Sequence, residues 1–232
     1  MRITTVGLDA DDTLWHNETI FHLTQERFRA LMADVAPPEV LDARLAAVER
    51  RNLSLYGYGV KGFTLSLIET AMELTGGEPP GRMIADILAA GREMLAYPVE
   101  PLPGVDNALA ELSETYRLVL ITKGDLLHQE QKLAASGLGD LFAAVEIVSE
   151  KDASTYTRVF ARHGTGADEA VMCGNSVRSD ILPALEAGAC AALVPYPLTW
   201  AHEIAEPPVD HSRFAELVSI TNLPAWVRWL SR

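Results

Sequence analysis

The sequence predicts an α/β fold: a doubly wound parallel sheet with an all-helical domain inserted after its first strand. Three observations carry this. A short apolar run at residues 3–8 ends in an acidic cluster. From residue 101 onward, short apolar runs alternate with helical periodicity, the pattern of strands buried on both faces. Between these regions, residues 15–100 carry helical periodicity and no convincing strand.

The elements follow in order. The run at 3–8 is brief and partly β-branched, so it reads as a buried strand. Phe21, Phe28, Leu31, Met32 and Val35 mark a first helix, stopped by Pro37-Pro38. Leu41, Leu45 and Val48 mark a second helix. Leu65, Ile68 and Met72 mark a third, closed by Gly76-Gly77-Glu78-Pro79-Pro80, and Ile84, Ile87, Leu88 and Leu95 a fourth. After Pro101-Leu102-Pro103-Gly104 come helix 105–116, strand 117–122, helix 126–136, strand 144–148, helix 153–162, strand 170–173, helix 177–187 and strand 190–194. Pro224–Leu230 reads as a short closing helix. The implied organisation is a Rossmann-like core of residues 1–14 and 101–232 with a helical cap domain at 15–100.

The 232 residues suit a core with a smaller companion. With 19 Lys plus Arg against 32 Asp plus Glu, the formal net charge is −13, which excludes general affinity for nucleic acid or an anionic membrane. Cys173 and Cys190 are too few for a disulfide framework or a zinc site and read as buried, reduced thiols. Residues 1–5 lack the pattern of a secretory leader, and no apolar run approaches the ~20 residues of a membrane span. A cytoplasmic monomer or homodimer is the expectation.

In open parallel sheets, ligands bind beyond the carboxyl ends of the strands. Those ends carry Asp9, Asp11 and Asp12; Thr122-Lys123-Gly124-Asp125; Ser149-Glu150-Lys151-Asp152; and Gly174-Asn175-Ser176 followed by Asp180. Clustered carboxylates need a cation, and oxygen-only ligands favour Mg²⁺ over zinc or copper. Lys151 as a point charge and Thr122 as a donor suit a phosphoryl group, so a small phosphorylated metabolite is the expected partner. One carboxylate is then free to attack phosphorus and a second to move protons.

These residues resemble the haloacid dehalogenase superfamily. Asp9-Ala10-Asp11-Asp12-Thr13-Leu14 resembles its first motif (D-x-D-x-T-L), Thr122 its second, Lys151 its third, and Gly174-Asn175-Ser176-Val177-Arg178-Ser179-Asp180 its fourth. The resemblance covers the whole core in the right order, and the helical insertion is similar to the family's first-type cap. It implies a phosphatase in which Asp9 forms an aspartyl-phosphate and Asp11 is general acid, then base. Thr122 and the Lys123 backbone N–H would hold phosphoryl oxygens, with Lys151 neutralising the nucleophile–phosphate pair. Mg²⁺ would be held by Asp9, the Asp11 carbonyl, and Asn175 or Asp180. The family's usual Gly-Asp is here Gly174-Asn175, an amide that brings no charge to the metal.

Other readings stand beside these. Asp12 and Thr13 suit turn residues capping the next helix, and Asp125 and Asp152 suit helix N-termini. Lys123 also suits a solvated surface lysine. His16 reads as an exposed linker residue, and His128, His163, His202 and His211 as ordinary. Tyr56–Phe63, with three glycines, two tyrosines and Lys61, reads either as a loop that selects substrate or as an inter-helix turn. Lys61 also keeps a Schiff-base phosphonate hydrolase in view. The remaining rivals are a metal-free 2-haloacid dehalogenase, a phosphomutase, and a non-catalytic phosphate-binding or phospho-accepting module. Similar dehalogenases lack an acid corresponding to Asp11.

Overall fold

The computed structural model describes residues 1–232, apart from the side chain of His202, which lies outside the described residues. The chain runs β1 (Thr5–Leu8), α1 (Glu18–Leu31), α2 (Pro38–Tyr56), α3 (Val60–Leu74), α4 (Gly81–Leu95), α5 (Val105–Ser113), β2 (Arg117–Lys123), α6 (Leu126–Ser136), β3 (Ala144–Val148), α7 (Ala153–His163), β4 (Ala170–Gly174), α8 (Leu182–Glu186), β5 (Cys190–Leu193), β6 (Phe214–Glu216) and α9 (Leu223–Leu230). It divides into two compact units. One holds Met1–Glu18, Val99–Lys123 and Gln129–Arg232; the other holds Thr19–Pro98 and Gly124–His128.

The first unit is built on a six-stranded sheet in the order β3-β2-β1-β4-β5-β6, with every pairing parallel. Side chains alternate between its two faces, and each face has its own core. On one side Val6, Leu8, Leu118, Leu120, Val171 and Cys173 pack with residues of α5 and α9, including Leu109, Leu112, Leu223 and Val227. On the other, Val119, Ile121, Met172 and Leu193 pack with Tyr156, Val159 and Phe160 of α7 and Ala184 of α8. Burial on both faces explains why these strands read as unbroken apolar runs. Cys173 and Cys190 are free and buried, and burial raises both thiol pKa values above the ordinary range. Among the described residues, no helix is long and apolar enough to cross a membrane.

Two features of this unit differ from the sequence reading. The helix expected over 177–187 begins as a π turn, Val177–Ile181, with only Leu182–Glu186 in α-helix. The Ser176 carbonyl accepts from both Asp180 N–H and Ile181 N–H, and Pro183 has no N–H to offer the Ser179 carbonyl four residues back. Strand β6 has three residues, too few to show a period of two.

The second unit is helical, with a core of Phe28, Met32, Leu41, Leu45, Val60, Phe63, Leu67, Ala71, Met83, Ile87 and Met94. Helix α3 lies where its apolar residues place it, but with a different face inward. Phe63, Leu67 and Ala71 are buried, while Leu65 and Met72 are exposed. The helix is apolar on more than one side, so periodicity alone does not choose. Of the two readings of 56–63, the inter-helix turn describes the backbone: α2 ends at Tyr56 and α3 starts at Val60. Gly57 and Gly59 between them have φ of 69° and 103°, backbone that side chains rarely adopt.

Candidate active site

Strand β1 delivers Asp9, whose N–H extends the sheet by donating to the Cys173 carbonyl at 2.9 Å. The next turn places Asp12 at φ 62°, a conformation that Asp tolerates. Its carboxylate accepts the N–H groups of Asn17 and Glu18 at 2.8–3.0 Å and so caps α1. Burial pushes the Asp12 carboxyl up to about 7, against those backbone donors. Asp152 caps α7 through the Thr155 N–H, and Asp125 accepts from the His128 N–H at the start of α6. The helix-capping readings of Asp12, Asp125 and Asp152 therefore describe what these side chains do.

Asp9 is 6% exposed. One of its oxygens accepts from Lys151 Nζ, the other from Thr13 Oγ1 at 3.0 Å. Lys151, 5% exposed, also donates to Asp180 Oδ1 at 2.7 Å. Burial disfavours the Lys151 ammonium, but the Asp180 and Asp9 carboxylates outweigh it and hold the pKa above the ordinary lysine value. Burial likewise pushes the Asp9 carboxyl up, and Lys151 pulls it back down. Asp180 Oδ2 accepts the Ser176 N–H at 2.9 Å, so both of its oxygens are engaged by chain donors. Tyr156, fully buried on α7, reaches the same carboxylate at 3.5 Å and donates to the Ser179 carbonyl at 2.9 Å.

Asp11 points along a different path. Its Oδ1 accepts from Trp15 Nε1 at 2.7 Å and Lys132 Nζ at 2.5 Å, and its Oδ2 accepts from Gln129 Nε2 at 3.2 Å. Gln129 also donates to Thr122 Oγ1 at 2.7 Å and to the Lys123 carbonyl at 3.0 Å. Lys132 bridges onward to Asn17 Oδ1 at 3.1 Å. Thr122 is buried at the end of β2. The Lys123 ammonium turns away to Glu203 at 2.8 Å and Ser179 Oγ at 2.9 Å. Lys61 belongs to the helical unit, where it grips both oxygens of Asp125 at 2.9 and 3.0 Å and holds that carboxyl below its usual range.

The residues suit Mg²⁺ on the chemistry of their donors. The tip of the Asn175 amide lies 3.2 Å from the Asp11 carbonyl, Thr13 Oγ1 and Asp9 Oδ2. With its nitrogen at that tip, the amide donates to them. With its oxygen there, a carboxylate, a carbonyl and an amide oxygen face one another, which a hard cation resolves. Among the described residues, no three His, Cys, Asp or Glu side chains form a metal cage. Of Asp9, the Asp11 carbonyl and Asn175, only Asp9 brings a carboxylate.

Gln129, Lys132, Trp15, Tyr156 and Glu203 were not expected at the site. One signal existed: His128, Gln129, Lys132 and Leu133 form the buried stripe of α6, and a lysine and glutamine on such a stripe need polar partners. His16 is exposed and hydrogen-bonded to Tyr196 at 2.6 Å. His163 pairs with Glu146 at 2.6 Å.

The chain is 28% identical over 202 residues to the glyceraldehyde 3-phosphate phosphatase of Methanothermobacter thermautotrophicus (strain Delta H), covering 84% of this chain and 87% of that one. It is 44% identical to a haloacid dehalogenase-like family hydrolase from Xanthomonas campestris, with a TM-score of 0.89, covering 99% of this chain and 92% of the other. Two further structures share the fold. A magnesium-bound hydrolase of Bacillus subtilis is 15% identical with a TM-score of 0.68, covering 98% and 99% of the two chains. The L-2-haloacid dehalogenase of Xanthobacter autotrophicus is 19% identical with a TM-score of 0.66, covering 97% and 98%. The sequence pattern of the haloacid dehalogenase-like hydrolases matches residues 3–188, and the chain belongs to that family.

Proposed function

We propose that this hydrolase is a Mg²⁺-dependent phosphatase acting on a small phosphomonoester, with Asp9 as nucleophile. The observation that carries the reading is the pair of carboxylates two residues apart in different surroundings. Asp9 is buried against Lys151, while Asp11 is held by Trp15, Lys132 and Gln129. One carboxylate then bonds to phosphorus while the other handles the proton.

In the first step an Asp9 oxygen bonds to phosphorus, the ester P–O bond breaks, and Asp11 gives its proton to the departing alcohol oxygen. In the second, Asp11 takes a proton from water, whose oxygen bonds to phosphorus and releases Asp9 and inorganic phosphate. Lys151 and Thr13 orient Asp9 throughout; the Thr122 hydroxyl, which donates to the Lys123 carbonyl at 3.2 Å in the structure, turns to a phosphoryl oxygen when substrate binds. Asp9, the Asp11 carbonyl and Asn175 would hold Mg²⁺, which when bound offsets charge on the phosphoryl oxygens. Asp180 serves by holding Lys151.

The named activity of the archaeal relative supports a small phosphorylated aldehyde or alcohol as substrate, and the magnesium-bound structural relative supports the metal. Dehalogenation has no leaving alkoxide to protonate and gives Asp11 no task. The test is steady-state release of phosphate from glyceraldehyde 3-phosphate and p-nitrophenyl phosphate, with Mg²⁺ and with chelator, beside halide release from 2-chloropropionate. Multiple turnovers of the phosphates, lost in Asp9→Asn and with chelator, support the reading. Halide release without phosphate release overturns it.

A further inference from the structure

Lys123 and Glu203 form a largely buried ion pair at the edge of the carboxylate cluster. Their side chains are 11% and 16% exposed, and Nζ lies 2.8 Å from Glu203 Oε1. The same ammonium donates to Ser179 Oγ at 2.9 Å and reaches Glu150 Oε1 at 3.4 Å, on a side chain that is 55% exposed. The other Glu203 oxygen accepts from the hydroxyls of Ser176 and Ser179, both at 2.5 Å. Burial opposes the Glu203 carboxylate, yet Lys123 and the two serines hold its pKa below the ordinary range.

The positions of these partners give the pair its meaning. Lys123 follows Thr122, Ser176 follows Asn175, and Ser179 precedes Asp180. Glu203 itself comes from the short turn Ala201–Glu203, beyond β5. One carboxylate thus ties the end of β2 to the turn after β4, touching the chain neighbours of three candidate site residues. A lysine engaged by a buried carboxylate carries no net charge to offer an incoming dianion.

We propose that Glu203 is a positioning residue of the candidate active site: it holds the Lys123 ammonium as its counter-ion and withholds that charge from phosphate. The inference rests on the phosphatase reading. Its physical consequence is a site that binds the phosphate product weakly enough to release it. Without Glu203, Lys123 keeps only the solvent-exposed Glu150 as a carboxylate partner, its charge is less compensated beside Thr122, and phosphate is held more tightly.

The experiment is a double-mutant cycle on the full chain with p-nitrophenyl phosphate as substrate and inorganic phosphate as competing product. The variants are Glu203→Gln, Lys123→Met and the two together. Glu203→Gln is expected to lower the inhibition constant of phosphate five- to tenfold, with KM falling in step and kcat within threefold. Lys123→Met is expected to raise the inhibition constant by a similar factor, because it leaves Glu203 uncompensated. The double variant returns it to within threefold of the wild type.

A double variant as weak for phosphate as Lys123→Met overturns the inference, because Lys123 would then be a phosphate ligand. An unchanged constant in Glu203→Gln also overturns it. If Glu203→Gln does not fold, the comparison of Lys123→Met with the double variant decides alone: a fivefold difference supports the inference and equality overturns it. A wild type that turns over no phosphomonoester overturns the phosphatase reading and this inference together. An active wild type with a failing cycle overturns this inference only.

Discussion

Tyr156 donates its hydroxyl hydrogen to the carbonyl of Ser179 at 2.9 Å, the acceptor that Pro183 leaves without a helical partner. The proline lacks the N–H that would close the i→i+4 bond, and a tyrosine from another helix supplies the missing donor. The same hydroxyl lies 3.5 Å from Asp180, so the device that completes the turn also stands beside the carboxylate holding Lys151. Tyr156→Phe leaves a buried carbonyl unpaired at a cost of about 1–3 kcal/mol. The expected result is a melting temperature lower by roughly 3–8 °C for a chain of this size. Thermal denaturation checks it, and an unchanged midpoint would show that the hydroxyl does not complete the turn.

Gly174 ends β4 where there is no room for a side chain. A Cβ there would overlap Asp180 Oδ2 and Cγ, groups already fixed by Lys151 and the Ser176 N–H. The backbone is not in the left-handed region, so the constraint is space alone. Gly174→Ala must displace Asp180 and with it Lys151. We expect kcat to fall at least a hundredfold, with a stability loss of about 1–3 kcal/mol. Gly7→Ala is the comparison: its Cβ meets Ile121 Cδ1 and the Phe160 ring at 3.0 Å and Met172 Sδ at 3.1 Å, so it strains the core without touching the carboxylates. Similar losses of kcat in both variants would show that general destabilisation, not Asp180, is responsible.

The sequence makes legible the features governed by short-range rules. Asp9, Lys151 and Asp180 are readable because strands buried on both faces must be apolar, so a charged residue just past a strand end stands out. Asp12, Asp125 and Asp152 are readable as caps because the capping bond is local. Gln129 and Lys132 are not readable in the same way, because their partner Asp11 lies more than a hundred residues away. Glu203 is hidden further, since it arrives from an irregular segment with no period. The turn at 177–181 depends on Pro183 and Tyr156 together, and only the proline is visible locally. Lys123 shows the limit most clearly: its position beside Thr122 suggests a phosphate ligand, while its ammonium is committed to Glu203.

Glu49 on α2 gives a pH-dependent prediction away from the carboxylate cluster. Burial raises its carboxyl to about 7 from the ordinary 4.5. The folded chain therefore prefers the protonated acid. Stability from this preference is fully present below the unfolded value near 4.5 and is lost as pH rises through about 7. Glu49→Gln mimics the neutral form at every pH. The variant should match the wild type near pH 4.5 and exceed it above pH 7 by on the order of 1–3 kcal/mol. Denaturant unfolding at several pH values checks the sign. A difference that is constant with pH would mean that Glu49 titrates alike in both states.

Asn175 provides the sharpest test of the proposed Mg²⁺ site. Its amide tip faces Asp9 Oδ2 and the Asp11 carbonyl at 3.2 Å, a position from which an oxygen contributes a ligand but no charge. The site then presents Mg²⁺ with one formal negative charge where a second carboxylate would give two. Asn175→Asp supplies the second charge at nearly the same volume. Half-saturation by Mg²⁺ should fall at least fivefold in activity titrations, with chelator abolishing turnover in both forms. Without metal, the new carboxylate faces Asp9 across the same short distance, and like-charge repulsion raises their pKa values. The variant should therefore be less stable than the wild type in chelator and recover on adding Mg²⁺. Equal half-saturation in the two forms would show that the amide oxygen is not a ligand, and that its nitrogen faces inward as a donor.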